Sequence, residues 1–243
     1  LVALRRAGVA SISLLNTYEG YARQDKVFKS GEAISAVTML KIINSLVDNH
    51  MVLNIHYGKH SGQTKLEGYD YDLYNLNAFI PVAERLVDAV AMLVGQDALA
   101  AEFSEHPLLL VSPDDGAFIY VQEAAALLSR YIKAKYRIDT KVDCGYMDKT
   151  RISGTEVKIP GHILGKDGKP IADAKIGKQW AFVLDDETSW GTTLFAATYA
   201  LVRKIEFSWS RVLTGVVHGK FSRGLKPFKT GLSEKEIMIA MRQ

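Results

Sequence analysis

This sequence predicts an α/β fold of two tandem units, each a parallel sheet flanked by helices, on three observations. Short apolar runs alternate with longer segments of helical spacing, the pattern of parallel strands joined by crossover helices. The alternation falls into two strand–loop–helix systems in series, with a seam near residues 75–80, although no exact repeat relates them. The unusual polar residues fall in the loops after apolar runs, at the carboxyl ends of strands, where open α/β sheets bind ligands.

Taken in order, residues 11–16 read as a strand leading into the loop YEGYARQDKVFKSGEAIS, and residues 36–47 as a helix. Residues 51–55 form the next strand, ending at His56, and the polar, Gly- and Tyr-rich stretch 57–75 reads as loops. A helix over 81–93, a strand over 107–111, the exit Ser112-Pro113-Asp114-Asp115-Gly116 and a helix over 118–131 follow. Residues 139–178 are mixed, with a short strand near Val142, then Lys149-Thr150-Arg151, then GHILGKDGKPIADAKIGKQ, whose DG and KP pairs mark turns. Strands over 180–184 and 212–217 flank a last helix over 194–205.

The 243 residues suffice for one large or two small domains, expected here at 1–77 and 78–243. A net charge of +3 is too small to point to nucleic acid or a membrane surface. The single cysteine, Cys144, excludes an intrachain disulfide framework, fits a reducing cytosol and reads as a small core side chain. The apolar runs fall short of a bilayer span and no leader is evident, so a cytoplasmic protein is expected. Because the chain begins at Leu1 inside the helix-like LVALRRAG and ends in the helix-like SEKEIMIAMRQ, sequence is expected to be missing at the ends.

The segment WAFVLDDETSWGTTLFAATYAL, residues 180–201, constrains the chemistry most. An apolar strand ends in Asp185 and Asp186; a loop of Thr188, Ser189, Gly191, Thr192 and Thr193 follows, then a helix. Backbone N–H groups at such a helix start hold a phosphate dianion, and the hydroxyls add donors. Carboxylates at the strand tip accept from vicinal ribose hydroxyls or orient a hydrated Mg²⁺. A second loop, Arg23-Gln24-Asp25-Lys26, gathers two cations and two hydrogen-bonding groups suited to a polyphosphate and an adenine edge. Lys29 and Glu32 read as loop structure.

Four segments, YARQDKVFKSGEAIS (21–35), NIHYG (54–58), VSPDDG (111–116) and VLDDETSWGTT (183–193), stand in the order and at the separations of ribose-phosphate diphosphokinases. The chain resembles that family, also called phosphoribosyl pyrophosphate synthetases, from residue 1 to about residue 222. The resemblance implies two phosphoribosyltransferase-like domains, the second carrying the ribose 5-phosphate loop. It implies transfer of the pyrophosphoryl group of ATP to ribose 5-phosphate, with Mg²⁺, giving phosphoribosyl pyrophosphate and AMP. It places Arg23, Gln24, Asp25, Lys26 and His56 on ATP, and His56 and Asp114 at the metal. Asp114, Asp185, Asp186, Ser189, Gly191, Thr192 and Thr193 fall on ribose 5-phosphate, with Lys149 and Arg151 as the catalytic pair. It further implies a homo-oligomer whose ATP site is shared between subunits, and neither nucleic-acid nor membrane partners.

The chain departs from the family at three positions: Asn54 replaces a frequent Asp, Tyr120 an Arg, and Trp190 a Thr. His218-Gly219 matches a strand-ending motif read as a structural turn, and Trp180 and Trp209 read as core or interface. Two alternatives stay open: a catalytically silent regulatory homologue that associates with an active diphosphokinase, and a phosphoribosyltransferase.

Overall fold

The computed structural model describes residues 1–27, 29–66, 68–69, 72–147, 150–151, 157–158, 162–171, 177–189, 191–221 and 224–225. Side chains of residues 150, 151, 157, 158 and 192 fall outside the description. By packing, the chain divides into two compact units, Leu1–Ala78 and Phe79–Gln243.

The first unit contains α1 (Val2–Arg6), β1 (Ser13–Asn16), α2 (Ser35–Asn44), β2 (Asn49–Leu53), β3 (Gly62–Lys65) and β4 (Asp72–Leu76). Its sheet runs in the order β1-β2-β4-β3. Strands β1, β2 and β4 are parallel, and β3 pairs antiparallel with β4. Helix α2 buries Ala36, Val37 and Leu40 over Val52, Ile55, Leu66 and Leu73, and Ile43 with Ile12 and Val47. Arg5 ties α1 down through Asp48 at 2.9 Å, and the same carboxylate accepts the Ile12 N–H at 2.7 Å.

Residues 57–75, expected as loops, instead supply β3 and most of β4. The two strands are short and mostly polar, so they lack the apolar alternation that marks a strand in sequence. Leu73 and Asn75 alone point inward from β4, and Asn75 earns its burial by donating to the His60 carbonyl at 3.0 Å and accepting from Ile55 N–H at 2.9 Å.

The second unit contains α3 (Phe79–Val94), α4 (Leu99–Glu105), β5 (Leu108–Ser112), α5 (Phe118–Tyr136), β6 (Val142–Tyr146), β7 (Thr150–Arg151), β8 (Val157–Lys158), β9 (Trp180–Thr188), α6 (Thr192–Lys204), a 3₁₀ turn (Trp209–Arg211) and β10 (Val212–Gly219). Its main sheet is parallel throughout, in the order β10-β9-β5-β6. Residues of β5 and β9 alternate between two cores. Leu108, Leu110, Phe182 and Leu184 pack under α3 and α5, while Leu109, Val111, Ala181 and Val183 pack under α6. Burial on both faces is why these strands read as unbroken apolar runs. Pro81 sits in the first turn of α3, where its missing N–H removes no helical bond. No described helix is long and apolar enough to cross a membrane.

Trp180 is a core residue whose indole donates to Glu102 at 2.9 Å, and Trp209 is 57% exposed on the 3₁₀ turn. Two smaller expectations change. His218 and Gly219 are the last residues of β10 rather than a turn, paired in register with Glu187 and Thr188. Cys144 is only half buried; burial, helped by the charge of Asp143, pushes its thiol up, so it stays protonated.

Helices α3 and α5 are joined by a polar clamp. Asp88 Oδ1 accepts from Tyr131 Oη at 2.7 Å, Tyr136 Oη at 2.8 Å and Lys135 Nζ at 2.8 Å. Burial alone would raise this carboxyl, but the three donors outweigh it and hold its pKa at about 2. An unfolded aspartate titrates at about 4. The depressed native value means the clamp's contribution is complete above the unfolded pKa and is lost as pH falls through the native one. Calorimetry should therefore find Asp88→Asn less stable than the parent at neutral pH, with the difference closing between pH of about 4 and about 2. A second expectation concerns Gly215 on β10, where a Cβ would lie 2.4 Å from Val82 Cγ1 of α3. Gly215→Ala should lower stability to denaturant by about 1–3 kcal/mol through overpacking.

Candidate functional site

In the second unit the strand order reverses between β5 and β9: β6 lies beyond β5 on one side, β10 beyond β9 on the other. A crevice opens outside the carboxyl ends of strands at such a reversal, because successive crossovers leave toward opposite faces. Here α5 covers one face and α6 the other. The register pairs Val111 with Val183, so the exits Ser112-Pro113-Asp114-Asp115 and Asp185-Asp186 are neighbours at that edge.

Each exit has its own local geometry. Ser112 Oγ donates to the Asp114 carbonyl at 2.5 Å, while Asp114 N–H lies 3.4 Å from Ser112 Oγ, a side-chain turn that fixes the bend after β5. Met147 N–H donates to the Ser112 carbonyl at 2.9 Å and ties the β6 exit alongside. Asp114 is half buried and Asp115 exposed.

The acidic pair is not a strand tip as expected, because β9 continues through Thr188. Successive residues of a strand point to opposite faces. Asp185 therefore shares the α6 face with Ala181 and Val183, and Asp186 the opposite face with Phe182 and Leu184. Asp185 is 7% exposed, and its Oδ1 accepts the Asp186 N–H at 3.0 Å. Beyond them Glu187 pairs with Lys220 at 2.9 Å, and Lys220 N–H donates to the Thr188 carbonyl at 2.9 Å, pinning the end of β10 to β9.

Helix α6 starts at Thr192 with Gly191 as N-cap at φ 82°, a residue with no side chain of its own to cap the helix. That left-handed conformation suits glycine. Helix α6 packs on the face of β9 that carries Ala181 and Val183, the face to which the strand's alternation also assigns Asp185. Thr192 and Thr193 are thus the first helical residues rather than loop residues, and Ser189 is half buried just before them. Trp190 and Lys149 lie outside the described residues, as do the side chains of Thr192 and Arg151; the Arg151 backbone pairs with Val157 in the β7–β8 hairpin.

In the first unit Arg23, Gln24 and Lys26 are exposed and Asp25 half buried on a loop held at three points. Ala22 is buried in the core below it, Gln24 N–H donates to the Tyr21 carbonyl at 2.8 Å, and Ala36 N–H at the start of α2 donates to the Gln24 carbonyl at 3.3 Å. Further along, Lys29 N–H donates to Glu32 at 3.0 Å, in keeping with a loop-stabilising role. His56 is exposed on the turn after β2. Beside the loop lies a cleft of about 780 Å³ lined by Asp25, Lys26, Tyr57, Lys59, His60 and Tyr69 among others. Burial, then the charges of Glu19 and Asp25, push the Tyr57 hydroxyl far up, so it is a neutral donor. Nothing in the sequence singled out Tyr57, because its burial comes from contacts distant in the chain.

Two of the departures have structural reasons. Asn54 adopts φ 39° and is buried, its Oδ1 accepting the Ala78 N–H at 2.6 Å. Asparagine tolerates this conformation better than most residues. Tyr120 is 4% exposed in α5 and packs edge-on to Phe79 at 6.2 Å, so this position belongs to the core.

Among the described residues no three His, Cys, Asp or Glu side chains gather as a metal-binding group. Asp114 and Asp115 nonetheless offer hard oxygens of the type that suit Mg²⁺, which keeps several waters and is held by one or two carboxylates plus substrate phosphates.

The chain is 28% identical over 201 residues to ribose-phosphate pyrophosphokinase of Methanobrevibacter smithii, covering 82% of this chain and 57% of that protein. The Pyrococcus furiosus enzyme of the same name is 27% identical over 222 residues, covering 91% and 63% respectively. The Methanosarcina mazei enzyme is 32% identical over 164 residues, covering 68% and 44%. The chain is a relative of the ribose-phosphate pyrophosphokinases. It spans about three fifths of the length of the first two of these relatives. No protein-family model matches it. Its fold matches the crystal structure of phosphoribosylpyrophosphate synthetase from Mycobacterium smegmatis with a TM-score of 0.56, over 90% of this chain and 58% of that one, at 19% identity.

The Asn54 bond to Ala78 gives a direct test of why a pyrophosphokinase relative carries asparagine there. Asn54→Ala should lower stability by about 1–3 kcal/mol, since it strands a buried N–H, whereas Asn54→Asp, which keeps the acceptor, should lose less; thermal melts would tell them apart.

Proposed function

We propose that the protein transfers the pyrophosphoryl group of ATP to the anomeric hydroxyl of ribose 5-phosphate, giving phosphoribosyl pyrophosphate and AMP. One observation carries this reading: a buried carboxylate, Asp185, and a helix start at the N-cap Gly191 share one face of β9, at the reversal of strand order. The helix start suits the 5-phosphate dianion and Asp185 the ribose hydroxyls. The relatives' shared name supports the same assignment.

In this reading the first helical N–H groups of α6, with Ser189, Thr192 and Thr193, hold the 5-phosphate, and Gly191 lets the backbone turn toward it. Asp185 accepts from the ribose hydroxyls. Asp186, on the other face of β9, orients groups that approach from the β5 side, where Asp114 lies. Arg23, Gln24, Asp25 and Lys26 bind ATP from the first unit, with His56 on the phosphates. The anomeric oxygen forms a bond to the β-phosphorus, the bond from that phosphorus to the α,β-bridging oxygen breaks, and AMP leaves with that oxygen. The hydroxyl proton passes to solvent. Negative charge grows on the bridging and equatorial oxygens, and Lys149 and Arg151 meet it. Asp114 in the second unit and His56 in the first are each assigned to Mg²⁺ within their own unit, and the ion would neutralise polyphosphate charge when bound. We assign the activity to a cytoplasmic homo-oligomer.

A ³¹P NMR time course with ATP, ribose 5-phosphate and Mg²⁺ tests the assignment: AMP and a new pyrophosphoryl-sugar signal should rise together as ATP falls. Lys149→Ala and Arg151→Ala should each lower kcat by about 10²–10³, the loss seen when one donor to a developing oxyanion is removed. Intact ATP in a folded, complete oligomer, or turnover indifferent to both substitutions, would overturn the corresponding part of the reading.

A further inference from the structure

Beneath the Arg23–Lys26 loop lies a polar group that the proposed reaction does not use. Glu19 is 5% exposed and His50, on β2, 4%. Asn16, the last residue of β1, donates its Nδ2 to Glu19 Oε2 at 2.6 Å. His50 Nε2 stands 3.3 Å from the same oxygen, without hydrogen-bond alignment, while His50 Nδ1 lies 3.1 Å from Asn44 Oδ1 at the end of α2. Glu19 Oε1 has no hydrogen-bond partner among the described residues. A carboxylate this deep is held against a large desolvation penalty, and an apolar side chain of similar size would stabilise the core at least as well. Such a group makes sense where it fixes geometry rather than where it adds stability.

The geometry it fixes is the loop. Glu19 is the last side chain anchored to β1 and β2 before the chain turns outward. Its carbonyl accepts the Ala22 N–H at 3.4 Å, and Tyr21, between them, adopts φ 65°, a left-handed conformation uncommon for tyrosine. Ala22 then drops into the core, and Arg23 and Gln24 project from the far side of this tight turn. The charge of Glu19 also reaches Tyr57 in the adjoining cleft.

We propose that Glu19, held by Asn16 and His50, is a positioning residue that sets the turn from which Arg23 and Gln24 reach the nucleotide. This rests on the reading of that loop as the ATP-binding segment. The Glu19, Asn16 and His50 group spans β1, β2 and the end of α2, so it ties the frame of the sheet to the loop alongside the buried Ala22.

The test pairs a readout of the loop with one of the nucleotide. Trypsin cuts after Arg23 and Lys26, so initial cleavage there reports the loop in the folded, ligand-free protein. Glu19→Ala should speed cleavage at these two sites about tenfold relative to all other tryptic sites, the loss of roughly one charge-assisted hydrogen bond. Glu19→Gln, which keeps an acceptor for Asn16, should show a smaller change and guards against a variant that does not fold. In steady-state assays Glu19→Ala should raise KM for ATP about tenfold, with kcat and KM for ribose 5-phosphate unchanged. Faster cleavage spread evenly over the chain, or none in a folded variant, would overturn the proposal. If loop-specific cleavage is seen but the parent protein neither binds nor turns over ATP, the positioning role stands and the ATP assignment falls.

Discussion

The parallel pairing of β5 with β9, from Leu108 against Trp180 to Val111 against Val183, is the constraint on which the second unit depends. Both strands are covered on both faces, so neither has room for a polar side chain until their pairing with each other ends. Polarity returns at Ser112, one residue past the last paired position on β5, and at Asp185, two residues past it on β9. Because the strand order reverses between these two strands, the chain leaves them toward opposite faces and cannot close the space between the exits. The same apolar runs that stabilise the sheet therefore place its polar residues.

Within that crevice the two aspartates are not equivalent. The pleat sends Asp185 to the face of α6 and Asp186 to the other, so a ligand lying along one face meets one of them. Asp185 tolerates its burial in part by accepting the next residue's N–H. Departures from the family's residues at Asn54 and Tyr120 have local causes, a left-handed backbone in one case and an aromatic core contact in the other. They are accounted for by packing and need no loss of chemistry to explain them.

The first unit solves a different problem. A loop that carries charged side chains outward has little apolar surface with which to dock, and between Tyr21 and Lys26, Ala22 is the residue buried in the core. Hydrogen bonds and a buried polar cluster do the rest, through the Gln24 carbonyl at α2 and the Glu19 side chain between β1 and β2. Directional bonds hold such a loop in one orientation, where nondirectional apolar contact would hold it only near the surface.

The sequence by itself determined the elements whose burial is strongest. The cores of β1, β2, β5, β9 and β10 and of helices α2, α3, α5 and α6 were legible, because burial on one or two faces imposes a period that residues display directly. It also showed the polar exits, since charge after an apolar run is a local signal. The β3–β4 hairpin was not legible: its inward residues include Asn75, whose burial depends on partners at Ile55 and His60. The true length of β9, the division of Asp185 and Asp186 between faces, and the meeting of Glu19 with His50 were decided only in the tertiary structure. Each depends on a neighbouring strand or helix brought from elsewhere in the chain, and no local pattern of residues records which neighbour that will be.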